Sequence, residues 1–82
     1  VITDDDTKAY VAANVSAELA RLGWSQVKLA TATGENAMTI SNVIRGVHVP
    51  GAGLLCRIAE ALNVSVDTLL SPPNKKPRRS AG

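Results

Sequence analysis

The sequence predicts an all-α fold, a compact bundle of five short helices in one small domain. Three observations carry that expectation. Hydrophobic residues make up 45% of the 82 residues, but aromatics only 2%: Tyr10 and Trp24, with no Phe. A core built from these must be aliphatic and Ala-rich, which suits helices better than a β-sandwich. Apolar residues recur at helical spacings, with no sustained alternation of the strand type. Gly23, Gly34, Gly46, Pro50, Asn63 and Pro72 also divide the chain into segments of helix length.

The first helix is expected over residues 7–22, after a flexible acidic segment at residues 1–6. Asp6 or Thr7 can cap its start, and the neighbouring acids complement the helix N-terminus. Val11, Val15, Leu19 and Leu22 are spaced by four, four and three residues, which makes one apolar face. Gly23 can close the helix in a left-handed conformation.

Ser25 is a good N-cap for the second helix, with Trp24 and Leu29 at the two ends of a hydrophobic staple. That helix stops before Gly34. Asn36 can cap a third helix through Arg45, which ends at Gly46. Val47 to Pro50 reads as a loop, because Pro50 disfavours helix at Val49. A fourth helix runs from Gly51 or Ala52 to Leu62, with Leu54, Leu55, Ile58, Ala59 and Leu62 as its apolar stripe. Asn63 tolerates the left-handed position that ends it. Ser65 caps a fifth helix through Val66, Leu69 and Leu70, which Pro72 and Pro73 terminate. Residues 72–82 lack hydrophobics and are expected to form a disordered basic tail or linker.

Charge is informative by segment. Lys and Arg number nine against seven Asp and Glu, for a net +2. Four of the cations, Lys75, Lys76, Arg78 and Arg79, lie in the tail, which has no acid. Residues 1–70 therefore carry −2, with three acids together at Asp4, Asp5 and Asp6. The overall basic character belongs to the tail and is poor support for nucleic-acid binding by the folded part. The tail itself can bind DNA phosphate nonspecifically, link to a further domain, or stay solvated.

Other classes are disfavoured. No apolar run reaches the roughly 18–20 residues of a membrane span, and no basic-then-apolar signal segment is expected. The absence of an initiator Met suggests processing or trimming. A single Cys forms no internal disulfide, and one His with one Cys cannot build an all-His/Cys zinc site. No cofactor or metal is expected. An enzyme would need a paired nucleophile and base, a phosphate loop or a metal cluster, and the sequence has none of these.

Residues 26–45 form a unit of two short helices about a turn. Leu29 and Ala30 point one helix inward, and Ile40 and Val43 the other. Small Ala30 permits close approach and Gly34 permits the turn, which are the steric demands of a helix-turn-helix. The pattern Ser25-Gln26-x-x-Leu29-Ala30-x-x-x-Gly34-x-x-x-x-x-Ile40-Ser41-x-Val43-x-x-Gly46 is followed by Pro50, Leu54-Leu55, Ile58-Ala59 and Ala61-Leu62-Asn63-Val64-Ser65-Val66-Asp67-x-Leu69-Leu70. Over residues 8–70 it resembles the Cro/C1-type, or XRE-like, helix-turn-helix domain of lambdoid phage repressors and their bacterial relatives. The resemblance implies a lambda-repressor-like fold over residues 7–71. It also implies a cytoplasmic, nucleoid-associated, sequence-specific DNA-binding regulator, most often a repressor, that binds a palindromic operator as a homodimer. The chain departs from the family pattern at Thr33 and Glu35, where apolar residues are usual, and at Ile44, where Glu is usual. The first two are expected to loosen the turn or aim polar groups outward, the third to enlarge the apolar contact.

In such a domain the third helix enters the major groove. Ile40, Val43 and Ile44 face inward; Ala37, Met38, Ser41, Asn42 and Arg45 fall outward. The resemblance places Asn36, Ala37, Met38, Ser41 and Asn42 against bases. Asn42 can pair bidentately with adenine, and Ala37 and Met38 can press on thymine methyls, so an A/T-containing half-site is expected. Ser25, Gln26, Lys28, Arg45, His48 and Gly51 are the matching or nearest groups for phosphates, which set register rather than sequence. Dimer contact is expected from exposed apolar residues near Val66, Leu69 and Leu70.

Plainer readings accompany these. His48 can be an ordinary loop residue, Cys56 is expected as a buried structural thiol, Trp24 as a core staple and Asp4–Asp6 as a solvated run. The alternative function is a protein-interaction module of the same fold, antitoxin-like or binding a polymerase or activator. The outward apolar Ala37 and Met38 leave that reading open.

Overall fold

Most helix ends are set by a short-range signal in the chain. In the computed structural model, which describes residues 4–73, five helices follow in order: α1 Asp4–Leu22, α2 Gln26–Thr33, α3 Ala37–Ile44, α4 Ala52–Leu62 and α5 Val66–Leu70. Ser25, Asn36 and Ser65 are the N-caps of α2, α3 and α5. Their side-chain oxygens accept from the backbone N–H of Lys28, Thr39 and Thr68 at 3.1, 2.8 and 3.1 Å.

Four helices close by one device. After α2, Gly34 N–H donates to Thr31 O at 3.3 Å and Glu35 N–H to Ala30 O at 3.0 Å. This paired pattern satisfies carbonyls that the helix end would otherwise orphan. It repeats after α1 at Gly23, after α3 at Gly46 and after α4 at Asn63. Gly34 needs φ +75 for it, and Asn63 adopts φ 60 as the single non-Gly residue there among the described residues. A short polar side chain tolerates that conformation better than most.

The start of α1 differs from the sequence expectation. The helix begins at Asp4 rather than at Thr7, so Asp4–Asp6 belong to α1. Carboxylates are favoured at the positive end of the helix dipole, and Asp5 also pairs with Lys8 at 3.7 Å.

The core is aliphatic, as expected: Val11, Val15, Leu19, Leu29, Ala30, Ile40, Val43, Leu55, Ile58, Ala59, Leu62 and Leu69. Full burial of a Val, Leu or Ile side chain contributes about 1.5–3 kcal/mol, enough for short helices to hold through tertiary packing. The main packing partners of α1 are α3 and α5, those of α2 are α3 and α4, and α4 also packs on α5. Asn14 of α1 donates through Nδ2 to Leu69 O at 2.9 Å and to Ser71 O at 2.8 Å.

Two further expectations are corrected. Leu69 is fully buried, and Val66 and Leu70 are half-buried against the core, so these residues do not form an exposed apolar face. A five-residue helix gains its stability only by docking, and α5 docks on α1 and α4. Cys56 is exposed rather than buried. It lies roughly 100° around α4 from Leu55, on the side away from Ile58 and Leu62. No helix among the described residues is long and apolar enough to cross a membrane. Pro72 and Pro73 are exposed, and the tail cations Lys75, Lys76, Arg78 and Arg79 lie outside the described residues.

Candidate nucleic-acid interface

The unit formed by α2, the Gly34 turn and α3 is held from both sides. Leu29 and Ala30 of α2 meet the core beside Ile40 and Val43 of α3. Thr33 does not loosen the turn. It is buried, and its hydroxyl is shared between Leu29 O at 2.9 Å and Ala30 O at 3.1 Å. A hydroxyl bonded back to its own helix can replace an apolar residue without leaving a buried polar group unpaired. Glu35 does aim outward, where its carboxylate accepts from Arg57 of α4 at 2.9 Å. Ile44 is half-buried against the core, the enlarged apolar contact expected of it.

The two sides of α3 differ sharply. At roughly 100° per residue, Met38 lies nearly opposite Ile40 and Val43. Ile40 is 0% exposed and Met38 66%. Arg45 and Ala37 are exposed, and Ser41 and Asn42 are half-buried at the flanks. The side-chain amide of Asn42 has no partner among the described residues, so its donor and acceptor are both available. Asn36 is exposed, but its Oδ1 is committed to capping Thr39; its amide N–H groups remain.

The phosphate candidates lie at the edges of this unit. Ser25, Gln26 and Lys28 are exposed at the start of α2, although Ser25 Oγ is occupied as the cap. Lys28 Nζ sits 5.2 Å from the centroid of the Trp24 ring, and the ring packs partly against the core as a staple should. Arg45 is the residue that ends α3, His48 is exposed in the following loop, and Gly51 starts α4 with no side-chain cap.

Electrostatics sharpen the pattern. Among the described residues, Lys8, Arg21 and Arg57 pair with Asp5, Glu18 and Glu35. Lys28 and Arg45 have no carboxylate partner among the described residues. The folded part has an acidic balance, yet the two cations without a carboxylate partner among the described residues both belong to the helix-turn-helix unit.

Sequence reasoning missed two features. Arg57 is 22 residues from Glu35, and nothing local predicts that pair. Val27 is 64% exposed in the first turn of α2; its position off the apolar stripe was the available signal.

The helix-turn-helix family pattern matches residues 15–69, more than half of the chain. The HTH-type transcriptional regulator SutR of Escherichia coli (strain K12) is 39% identical over 51 residues, which cover 62% of this chain and 29% of that regulator. The chain thus spans less than a third of the regulator's length. The crystal structure of the hypothetical transcription factor NHTF from Neisseria matches with a TM-score of 0.80 at 30% identity, over 89% of this chain and 82% of that one. The two-helix unit lies wholly within the matched residues, and the chain belongs to the helix-turn-helix family of the Cro/C1 type.

Proposed function

We propose that this domain binds a specific double-stranded DNA site through the major groove and serves a transcriptional repressor that acts as a homodimer on a palindromic operator. The observation that carries the reading is the division of α3: Ile40 and Val43 anchor it in the core while Met38 and Arg45 stand bare and Asn42 keeps a free amide. Asn42 reads an adenine, and Met38 and Ala37 contact thymine methyls. Asn36 and Ser41 approach neighbouring bases. Ser25 and Gly51, through their helix starts, and Gln26, Lys28, Arg45 and His48, through their side chains, grip phosphates and fix register. The half-sites of such a dimer lie about 34 Å apart. The setting is the cytoplasm of a bacterial or phage-infected cell, and the activity is binding rather than catalysis.

Selection of bound duplexes from a random library tests this reading. Enrichment of an inverted repeat, followed by lowered reporter expression from a promoter carrying it, is the expected result. Failure to retain any duplex at low ionic strength would overturn it. The exposed Val27, Val47 and Val49 favour a second reading, a surface for a regulatory protein partner. That reading would be preferred if duplex binding is absent and a protein contact persists in high salt.

A further inference from the structure

We infer that Trp24 is a positioning residue for DNA binding: its ring holds the Lys28 ammonium ready for a backbone phosphate. The inference rests on the DNA-binding reading above and adds a role that the base and phosphate contacts do not include.

The cations of the described residues are held in different ways. Lys8, Arg21 and Arg57 are each steered by a carboxylate that also cancels their charge. Lys28 is steered differently. Its Nζ lies 5.2 Å from the Trp24 ring centroid, inside the range of about 6 Å over which a ring face attracts a cation. The ring carries no net charge, so Lys28 is oriented and keeps its full charge. An ammonium has three donors, and contact with a ring face leaves donors free for phosphate oxygens.

The platform is itself fixed. The backbone N–H of Trp24 donates to Leu19 O at 2.9 Å, which ties the residue to the end of α1. Ser25 then starts α2, and the ring packs partly against the core. Lys28 stands in the first turn of α2, where the helix dipole disfavours a cation and no acidic side chain is present. The ring, not the helix, accounts for the ammonium being held there. A free lysine side chain loses much rotamer freedom when it binds. A lysine already confined over a ring loses less, and this is the sense in which Trp24 prepares the contact.

A double-mutant cycle tests the inference, with the whole chain titrated against a short mixed-sequence duplex over a range of salt. Lys28→Met is expected to weaken binding on all sequences and to reduce the salt slope by about 0.9, the value for one phosphate contact. Trp24→Leu is expected to weaken binding severalfold when Lys28 is present and to have no further effect on the Lys28→Met protein. Trp24→Phe, which keeps an aromatic face, should retain most of the affinity. A purely structural Trp24 would lower affinity by the same factor in both backgrounds, and that result overturns the inference.

Fluorescence gives a readout that does not require Trp24→Leu to fold. Trp24 is the only indole, and saturating duplex should shift its emission in the wild-type protein but not in Lys28→Met. Equal shifts in the two, or an unchanged salt slope for Lys28→Met, also overturn the inference. If the wild-type chain binds no duplex at low salt, the DNA reading fails and takes this one with it. Only that outcome leaves the wild type inactive, so the two failures are distinguishable.

Discussion

Arg57 Nη2 donates to Glu35 Oε2 at 2.9 Å, joining α4 to the residue just before the cap of α3. Both side chains keep substantial exposure, 50% and 27%, so the pair stabilises the fold by only about 0.2–1 kcal/mol. The larger consequence concerns DNA. Without Arg57, a carboxylate stands uncompensated beside the start of α3. Arg57→Ala is expected to weaken duplex binding at low salt, Glu35→Gln not to weaken it, and the double variant to recover part of the Arg57→Ala loss. Duplex titrations at two ionic strengths, with urea unfolding as the stability control, check this.

Asn42 and Gln26 should separate by the kind of loss they cause. Asn42→Ala is expected to relax preference at one base pair, by about 1–3 kcal/mol of discrimination. Gln26→Ala should weaken binding evenly across sequences, as a backbone contact does. Parallel selections with the two variants decide it. An unchanged Asn42→Ala motif would remove Asn42 from the base-reading set.

Two residues apart on α3, Met38 and Ile40 should differ in the opposite sense. Ile40→Ala empties a fully buried position and is expected to cost about 2–5 kcal/mol of stability. Met38→Ala, at an exposed site, should stay within about 0.5 kcal/mol while weakening binding to DNA. Urea denaturation and duplex titration on the same samples give both numbers.

Gly34→Ala is expected to destabilise by about 1–2 kcal/mol through its left-handed backbone alone, since an added Cβ would meet nothing within 4 Å. Asn63→Gly, at the matching closure of α4, should be close to neutral. A thermal melt of each variant distinguishes backbone strain from steric clash.

The Cys56 thiol should react with a disulfide reagent in the native protein at nearly the rate seen after unfolding, because the side chain is exposed. Strong protection in the native state would contradict its placement on the outer side of α4.

The sequence spoke most clearly where structure is local. Ser25, Asn36 and Ser65 could be identified as caps because a cap bond spans three residues, and Gly34 because its turn needs positive φ. The outward side of α3 was legible because eight residues are enough to show a helical period. What could not be read depended on distant partners or on rotation. Leu69 sits in a helix too short to define a face, so only its docking on α1 and α4 settles its burial. Cys56 follows Leu54 and Leu55 in the chain, yet one step around α4 turns it outward. Three adjacent acids looked like a solvated run, but a helix start also accommodates them. Glu35 and Arg57 carry no mutual signal across 22 residues. Trp24 as a staple and Lys28 as a phosphate candidate are each legible in the sequence, but the contact between them exists only in three dimensions.

The order in which the helices touch has a consequence for how the domain comes apart. α1 leads to α3, α3 to α2, α2 to α4, α4 to α5, and α5 returns to α1, where Asn14 holds its last carbonyls. In such a circuit no helix is terminal, even though α1 and α5 come from opposite ends of the described chain. Removing α5 would uncover α1 as well as α4, and the helix-turn-helix pair would lose support through the contact of α3 with α1. The helix-turn-helix pair is therefore not a detachable cassette: its two helices should melt together with the rest of the bundle in one transition.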